Sequence, residues 1–599
     1  MSPTTVPGNF VIQSPTANDP LLDLNTQPSL DLQFATSKTL DDRVSGLPLV
    51  DLQRDVSSGK SAGTYVDSTG VIRTSKANLN TYSEDATVWD YNLITAPTAP
   101  TSDVISPAGL QSSFKLLETT GTGEHYFRLA KTVVTSGSIY TQSIYIKPTL
   151  GRTKIRVYNF AQNNLVFIWD LVNNLEVSAA GGTSYSASST AVGDGWYRFV
   201  FTDEATSVNF RSSFMTVTDS NQFNFAGDTT KGFYVTGAQL EEGSTASPYI
   251  KTTNLPSAAP RFDHDPTTNA SLGLLVEESR TNLLTYSENF SSWIIQTGAS
   301  ITANQGIAPD GTLTASFLTG TGMANNGVLS TPSASVSTTS NNTKSIYLRS
   351  VSGTPSVSLK DPYLTVNRQV VNLTTEWQRF SLTEIQPSGL AGIWIDEIPA
   401  EGIYAWGAQL EAGAFATSYI PTSGSTVTRA ADEASITGSN FTSFWNSEKE
   451  GTLFFEHDLN PETQTGNPTN SMIIAFSTSL TTYNGPTLGL WGSGDSRYFP
   501  TDYSNGTYNT DGWPTRTDLL ANLGITLANP GKDRYAVGYK VGTGLSNLAI
   551  NGTLLGARDT SADYIPTGLY FGGSHNQRIS RLTYYPKRLP DIELQQLTK

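Results

Sequence analysis

The chain has 599 residues, of which 15% are charged and 37% are hydrophobic, and its formal net charge is −15. This length predicts several modules rather than one domain, and the negative charge argues against nucleic acid and anionic membrane surfaces as partners. The sequence contains no cysteine, which excludes disulfides, thiolate metal sites and a cysteine nucleophile. We expect a soluble protein without membrane insertion.

The N-terminal segment, residues 1–60, begins with a stretch rich in Pro, Thr and Asn. Such a composition buries little apolar surface. We therefore predict an extended segment that a partner would order.

Downstream, the sequence contains an internal repeat. NLNTYSEDATVW at position 78 returns as NLLTYSENFSSW at 282, and GAQLEEGSTASPYIKT at 237 returns as GAQLEAGAFATSYIPT at 407. Two further pairs, SIYIKP with SIYLRS and GWYRFVFTD with EWQRFSLTE, keep the same order. Ordered self-similarity predicts duplicated domains over residues 61–256 and 257–430.

Short runs that alternate apolar and polar residues dominate both copies and the remaining segment, residues 431–599. Ile155 and Val157, for example, alternate with Arg156 and Tyr158. This period of two, broken by Gly, Asn, Pro and Ser, predicts an all-β protein of tandem β-sandwich (jelly-roll) domains. Asn551-Gly552 predicts a hairpin, and the C-terminal tail predicts one short helix.

Several motifs together resemble those of tailed-bacteriophage virion proteins of the tail-fibre and head-fibre type. They are TYVDSTGVIRT at 64, PRFDHDP at 260, GLLVEESRTNLLTYSE at 273, WGAQLEAGAFATSYIPT at 406, RAADEASITG at 429 and SRLTYYPKRLPDIELQQLT at 580. In similar proteins the first two lie close in sequence, whereas here the first repeat separates them like an insertion.

This resemblance implies two duplicated carbohydrate-binding-like modules and a concanavalin-like or laminin-G-like sandwich over residues 431–599. It also implies that residues 1–60 attach the protein to other virion proteins. A homo-oligomer, taken as a trimer, would follow, although no heptad pattern supports it.

Each GAQLE segment offers candidate glycan-binding residues. Alternation places Tyr404 and Trp406 on one strand face with Ala408 and Leu410, and Gln409 and Glu411 on the other. Gln239 and Glu241 correspond to them in the first copy. Amide and carboxylate groups beside aromatic rings suit sugar hydroxyls and C–H faces. The alternative is that these residues fix a neighbouring loop of the same sandwich.

Aromatic residues in the third domain form a second candidate glycan surface, because loops on a rigid sandwich commonly carry recognition. Core packing or a subunit interface would explain the same residues. They are Trp491, Tyr498, Tyr503, Tyr508 and Trp513.

Two acids suggest an enzymatic alternative. Glu456 and Asp458 flank His457 on a predicted strand, and their same-side spacing of roughly 6–7 Å is within the range of glycosidase carboxylate pairs. A solvated outer face explains the acids equally simply. The sequence shows no nucleophile elbow, serine triad or phosphate-binding loop, so we predict no catalytic residues.

No cofactor is predicted, apart from a candidate calcium loop. Hard oxygen ligands of the kind that calcium prefers are grouped in it without EF-hand spacing, at Asp502, Asn505, Asn509 and Asp511. Asp263, Asp265 and Asn269 form a second, weaker group. Turns of the Asx type produce the same composition without an ion.

The sequence therefore predicts a non-enzymatic virion surface protein, of a tail fibre or spike, that recognises host-surface polysaccharide. The first alternative is a capsid decoration or head-fibre structural protein. The second is a polysaccharide depolymerase that uses Glu456 and Asp458.

Overall fold

The computed structural model describes residues 26–599 with internal gaps. Its regular structure is antiparallel sheet with a few short helices, which confirms the predicted all-β class. The helices described are Phe34–Ser37, Gly438–Thr442 and Asp591–Leu597, with 3-10 turns at Ala86–Val88 and Phe290–Ser292. The gaps are residues 58, 108–109, 111, 150, 160–164, 181–184, 332, 365–367, 449, 460–470, 478–486, 492–496, 502, 505–506, 509–532, 541–545, 559–565 and 573–575.

The first repeat is a sandwich of a five-stranded and a six-stranded sheet, with Ile144 and Phe199 packing against Val157 and Phe214 between them. The five-stranded sheet has the order Ser186–Gly193, Trp196–Glu204, Ile139–Pro148, Gly232–Glu242, Phe114–Leu117. The six-stranded sheet has the order Leu175–Ala180, Leu165–Asp170, Lys154–Asn159, Ser212–Thr216, Tyr126–Arg128, Asp90–Asn92.

The second repeat has two five-stranded sheets arranged in the same way, with Ile346 and Leu410 packed against Val357 and Ile395. One sheet has the order Ser300–Gly306, Ala315–Thr319, Ile403–Ala412, Asn341–Ser350, Gln378–Ile385. The other has the order Ile294–Ile295, Val328–Leu329, Trp394–Asp396, Ser356–Lys360, Arg368–Asn372.

The third sandwich crosses the predicted domain boundaries. Strands Leu30–Leu32, Arg261–His264 and Ser271–Val276 belong to its eight-stranded sheet, and Asp51–Gln53 belongs to its six-stranded sheet. The remaining strands of the larger sheet are Gln577–Tyr585, Glu450–Leu459, Asp533–Lys540, Ser546–Ile550 and Thr553–Arg558. Those of the smaller sheet are Glu433–Thr437, Gly568–Gly572, Ser471–Ser477, Thr487–Trp491 and Arg497–Thr501.

The N-terminal segment therefore differs from the prediction of an extended region over residues 1–60. From residue 26 it is part of the third sandwich, and Leu30, Leu32 and Phe34 are fully buried in that core. Burial of these three apolar side chains provides a driving force that composition alone did not reveal. Residues 1–25 lie outside the described part of the chain.

Each repeat is inserted into the chain that forms the third sandwich, through a short antiparallel pair of strands that we call its stem. Ala77–Asn78 pairs with Ser257–Ala258 at the base of the first repeat. Arg280–Asn282 pairs with Val427–Arg429 at the base of the second. The two ends of each repeat thus lie side by side, as expected for inserted modules.

Both repeats contain the same bulge in the GAQLE strand. The register shifts between Ser143 and Tyr145 in the first copy and between Ser345 and Tyr347 in the second. Gly237 and Gly407 lie at the bulges with φ of 61° and 64°, a conformation that favours glycine. The bulge changes which face the following residues occupy.

Other short-range predictions are confirmed. Asn551 and Gly552, both with positive φ, connect the paired strands Ser546–Ile550 and Thr553–Arg558. The tail forms the helix Asp591–Leu597 directly after Pro590, and it buries Leu594 and Leu597. In both cases the local sequence is sufficient to determine the structure.

Candidate functional site

The candidate glycan residues of the first GAQLE segment are buried. Gln239 and Glu241 are at most 1% exposed. Gln239 Oε1 accepts from the backbone N–H of Ile250 at 2.6 Å, and its Nε2 donates to Glu241 Oε2 at 2.6 Å. Glu241 also accepts from the N–H of Ser247 at 3.0 Å. These contacts fix the loop that follows the strand.

The second copy repeats this arrangement. Gln409 and Glu411 are fully buried, Gln409 Oε1 accepts from Ile420 N–H at 2.6 Å, and Glu411 accepts from Thr417 N–H at 3.0 Å. A glycan at the surface cannot reach these groups, so their assignment as sugar ligands is corrected. They have the loop-fixing role that the sequence allowed as an alternative.

The predicted faces of this strand also need correction. Ala408 and Leu410 lie in the sandwich core, but Tyr404 and Trp406 belong to a separate cluster on the other side of the sheet. The bulge at Gly407 adds one residue to the strand and so reverses the alternation. Trp406 packs there with Ile72, which lies on the hairpin that strands Thr64–Val66 and Ile72–Thr74 form within the TYVDSTGVIRT segment.

Most of the remaining candidates lie in the least described part of the third sandwich. Trp491 and Tyr498 are on neighbouring paired strands, and Tyr503 pairs with Tyr508. Outside the described residues lie Trp513 and the calcium candidates, which are Asp502, Asn505, Asn509 and Asp511. The glycan and calcium assignments of all these residues stay predictions.

The second candidate calcium group is occupied by protein contacts. Asp265 accepts from the backbone N–H groups of Thr267 and Thr268 at 2.9 and 2.7 Å, which is an Asx-type turn. Asp263 pairs with Arg578 at 2.7 Å. Among the described residues, no group of three or more His, Asp and Glu side chains could hold a metal ion.

Glu456 and Asp458 each lie opposite an arginine in the eight-stranded sheet. Glu456 pairs in register with Arg581 and accepts from Arg534 Nε at 2.7 Å, and Asp458 pairs in register with Arg578. The Glu456 carboxylate is thus engaged by a guanidinium group of its own sheet. This environment does not favour the enzymatic alternative.

The outer face of the six-stranded sheet in the first repeat presents a different set of side chains. Because Val157, Phe214 and Phe127 point into the core, their strand neighbours point outward. Arg156 is paired with Met215, and Arg128 is paired with Ser213 in adjacent strands. We define the arginine-aromatic face as Tyr126, Arg128, Arg156, Tyr158, Ser213, Met215 and the overlying Phe223.

On this face each arginine is stacked on an aromatic ring. The guanidinium carbon of Arg128 lies 4.2 Å from the centre of the Tyr126 ring. That of Arg156 lies 4.0 Å from Phe223 and 5.9 Å from Tyr158. The side chains of Arg128 and Arg156 are 19% and 14% exposed. Arg128 Nε donates to Ser213 Oγ at 3.1 Å. A stacked guanidinium group is a planar donor that can also contact a ligand.

Carboxylates border the two arginines. Asp90 lies 3.6 Å from Arg128 and Glu124 lies 3.4 Å from Arg156, and the two acidic side chains are 50% and 39% exposed. Such ion pairs are loosely held and weak. The exposed part of this face consists of Phe223 and the two carboxylates, while the guanidinium groups reach solvent only in part and Ser213 and Met215 are buried beneath them.

The equivalent sheet of the second repeat has a smaller version of this arrangement. Lys360 Nζ lies 4.8 Å from the ring centre of Trp394 and also contacts Asp396. Burial would raise the pKa of Asp396, but hydrogen bonds from Lys360 and from the backbone of Asn325 lower it below its ordinary value. Ile294, at the edge of this sheet, is 53% exposed.

The sequence carries a signal for the arginine-aromatic face of the first repeat, although no motif marks it. In KIRVYN the core residues Ile155 and Val157 leave Arg156 and Tyr158 on the opposite side, and in YFR the core residue Phe127 leaves two more polar side chains. Alternation alone showed that these residues face away from the core. Only the strand order shows that they form one surface.

No protein-family model matches the sequence, and no curated protein matches it. A search of solved structures gives matches to carbohydrate-binding modules. The tandem CBM22-1–CBM22-2 domains of Xyn10C from Paenibacillus barcinonensis align with 56% of this chain and 96% of their own, at 12% identity and a TM-score of 0.22.

Two further matches each contain one CBM22 module. The xylan-binding CBM22-1 domain of the same enzyme aligns with 23% of this chain and 94% of its own, at 15% identity and a TM-score of 0.18. The CBM22-1–GH10 modules of Clostridium thermocellum Xyn10B, solved with xylohexaose, align with 24% of this chain and 30% of their own, at 17% identity and a TM-score of 0.18.

Helices in the described residues are all short, and none has the length and apolar character needed to cross a membrane.

Proposed function

We propose that this chain is a non-enzymatic, glycan-binding protein of a virion surface, and that the arginine-aromatic face of the first repeat binds the glycan. The resemblance of its motifs to tail-fibre and head-fibre proteins supports the virion location. The stacked pairs Arg128–Tyr126 and Arg156–Phe223 carry the binding proposal. The Lys360–Trp394 pair is proposed as a second, smaller site.

The chemistry of this face suits a sugar. Aromatic rings offer flat apolar surfaces to the C–H faces of a pyranose, while guanidinium and carboxylate groups form hydrogen bonds with its hydroxyl groups. The sheet holds these groups on a rigid support, so little side-chain entropy is lost when a ligand binds. Two modest sites on one chain would add avidity if both bind the same polymer.

Binding of the full chain to immobilised host-surface polysaccharide tests the proposal. Arg156→Gln removes a stacked guanidinium group but keeps a polar side chain, and we expect at least a tenfold loss of affinity, or about 1.4 kcal/mol. Arg73→Gln is the matched control. Arg73 is 50% exposed and pairs with Asp67 on the hairpin of strands Thr64–Val66 and Ile72–Thr74. This variant therefore also removes one positive charge, but at a position outside the arginine-aromatic face.

Equal binding by both variants and the unchanged chain would overturn the assignment of the site. Release of reducing ends from the polysaccharide, abolished by Glu456→Gln, would instead support a depolymerase.

The location is tested by antibody labelling of intact particles against residues 430–599. Label at the tail together with saturable binding to host cells is expected. Label over the head without glycan binding would favour the alternative, a capsid decoration or head-fibre protein. Trimeric assembly belongs to the same proposal, and light scattering of the purified chain would measure it.

A further inference from the structure

Three ionisable side chains meet inside the second repeat. Lys344 lies on strand Asn341–Ser350, Glu384 lies on the neighbouring strand Gln378–Ile385, and Asp361 directly follows Ser356–Lys360 in the opposite sheet. Lys344 Nζ is 2.8 Å from Asp361 Oδ2 and also contacts Glu384 Oε1. All three side chains are at most 4% exposed.

The surroundings of this triad are mainly apolar. A small cavity beside Lys344 is lined by Ile346, Leu359, Phe380, Leu382 and Ile393 together with Ser345 and Lys360. One buried amide is also present, since Gln386 Nε2 donates to Glu384 Oε1 at 2.9 Å. One ammonium group between two carboxylates leaves an excess negative charge, which is costly in such surroundings. An additional proton would balance it. Glu384 Oε2 is buried and has no hydrogen-bond partner among the described residues, so it is the oxygen placed to carry that proton.

The Asp361 carboxyl group is held in place by the backbone. Its Oδ1 accepts from the N–H of Tyr363 at 2.7 Å, and its Oδ2 accepts from the N–H of Gly392 at 3.1 Å. Backbone donors fixed on a carboxyl group also stabilise the oxyanion that forms when a nucleophile adds to its carbon. The amine thus contacts both the carboxyl group that it would attack and the proton carrier, and such proximity favours an intramolecular reaction.

We propose that Lys344 and Asp361 are joined by an intramolecular isopeptide bond, formed by the folded chain itself with Glu384 as the proton carrier. Nζ first gives one ammonium proton to the Asp361 oxygen that it contacts. The neutral amine then attacks Cγ of Asp361, and a C–N bond forms. The C–O bond to one carboxyl oxygen then breaks. That oxygen leaves as water. In the overall balance, both protons of the water derive from the lysine ammonium group.

Proton balance is maintained through Glu384. Glu384 starts with the additional proton on Oε2, donates it to the departing oxygen and takes one from the attacking nitrogen, so that it ends as it began. An ammonium group and a carboxylate become a secondary amide and water, and nothing is oxidised or reduced. The neutral amide also removes two charges from the core.

The first repeat provides a natural comparison. Lys344 pairs with Leu382 and Leu410 in its sheet, and Gln142 occupies the same position beside Phe201 and Leu240. Gln142 Nε2 donates to the carbonyl oxygen of Gln239 at 2.8 Å. The same fold therefore accommodates glutamine here, which makes Lys344→Gln a variant that is expected to fold.

The mass of the intact, denatured protein tests the proposal. The unchanged chain is expected to be lighter than its sequence by one water molecule. After digestion with trypsin, residues 281–349 should be found joined to residues 361–368, because an acylated Lys344 is not cleaved. The mass calculated from the sequence, without loss of water, is expected for each of three variants: Lys344→Gln, Asp361→Ala and Glu384→Gln. Circular dichroism would verify that they fold.

A full sequence mass for the unchanged chain overturns the proposal without any variant. Water loss that maps to a linear peptide overturns it as well, because that result indicates a cyclised aspartate instead. If the bond still forms in Glu384→Gln, Glu384 is not the proton carrier, and that part of the proposal is overturned. None of these outcomes depends on glycan binding.

Discussion

Arg261 donates from Nη2 to Asp432 Oδ2 at 2.5 Å, and both side chains are fully buried. Arg54 contacts the other carboxylate oxygen of Asp432, and Arg261 also pairs with Glu277. Burial and the neighbouring arginines lower the pKa of Arg54 to about 10, although Asp432 opposes this effect. The network joins three parts of the chain that are distant in sequence and meet in the third sandwich, at strands Asp51–Gln53, Arg261–His264 and Glu433–Thr437.

Asp432→Asn should weaken this junction, because it leaves Arg54 and Arg261 buried without their shared counter-charge. Removing one partner of a buried ion pair typically costs about 3–5 kcal/mol. We expect faster hydrogen exchange in Leu30–Leu32 and Ser271–Val276, measured by mass spectrometry of fragments. Asp103→Asn, at an exposed pair with Lys115, is the control and should change little. Unchanged exchange in both variants would refute a structural role for the network.

Asn282 fixes the second repeat to its stem. Its Nδ2 donates to the carbonyl oxygens of Ala408 and Ile420 at 3.2 and 2.9 Å, and its Oδ1 accepts from Leu284 and Leu410 N–H at 3.1 Å each. Asn282→Ala leaves four buried backbone groups unpaired.

The expected cost of this change is at least about 1–3 kcal/mol, seen as a lower denaturation midpoint of the second repeat. Asn289→Ala is the control, because Asn289 is exposed and bonds only to Ser292 among the hydrogen bonds described. Asn78 makes the same contacts in the first repeat, so Asn78→Ala should destabilise that repeat instead.

The bulge glycine of the second repeat is expected to be intolerant of a side chain. A Cβ at Gly407 would lie 3.1 Å from the Tyr347 ring, while one at Gly353 would meet nothing within 4 Å, and φ is 64° and 62° at the two positions. Both alanine variants share the backbone strain of positive φ. Gly407→Ala should therefore lower the thermal midpoint more than Gly353→Ala, and equal effects would show that packing at the bulge is unimportant.

Asp203 should make the first repeat less stable as the pH rises. Burial raises the pKa of this carboxyl group to about 6, above the ordinary value that applies in the unfolded chain. The folded state therefore holds the proton more tightly, and stability falls between about pH 4 and pH 6.

Asp203→Asn should remove this decrease and stabilise the first repeat at pH 7, as measured by denaturation midpoints across the pH range. Asp219→Asn, at an exposed position, is the matched control and should keep the pH profile of the unchanged chain. An unaltered profile in Asp203→Asn would contradict the assignment.

Local sequence patterns determined the strands, the two similar modules and the tight hairpin of this protein. The period-two runs required sheet, the ordered repeats required two similar modules, and Asn551-Gly552 required a tight hairpin, because each depends on residues close in sequence. The GAQLE motif recurs in both copies, but alternation predicts the wrong face for Trp406, because the bulge after it reverses the pattern.

Tertiary structure decided what the polar residues do. Gln239 and Glu241 alternate like solvent-facing residues, yet a loop of their own repeat covers them, and alternation does not report what covers a face. The third sandwich collects strands as distant as Leu30–Leu32 and Gln577–Tyr585. Lys344, Asp361 and Glu384 meet only because two sheets pack together. Contacts between residues far apart in sequence leave no periodic signal, so only the folded chain reveals them.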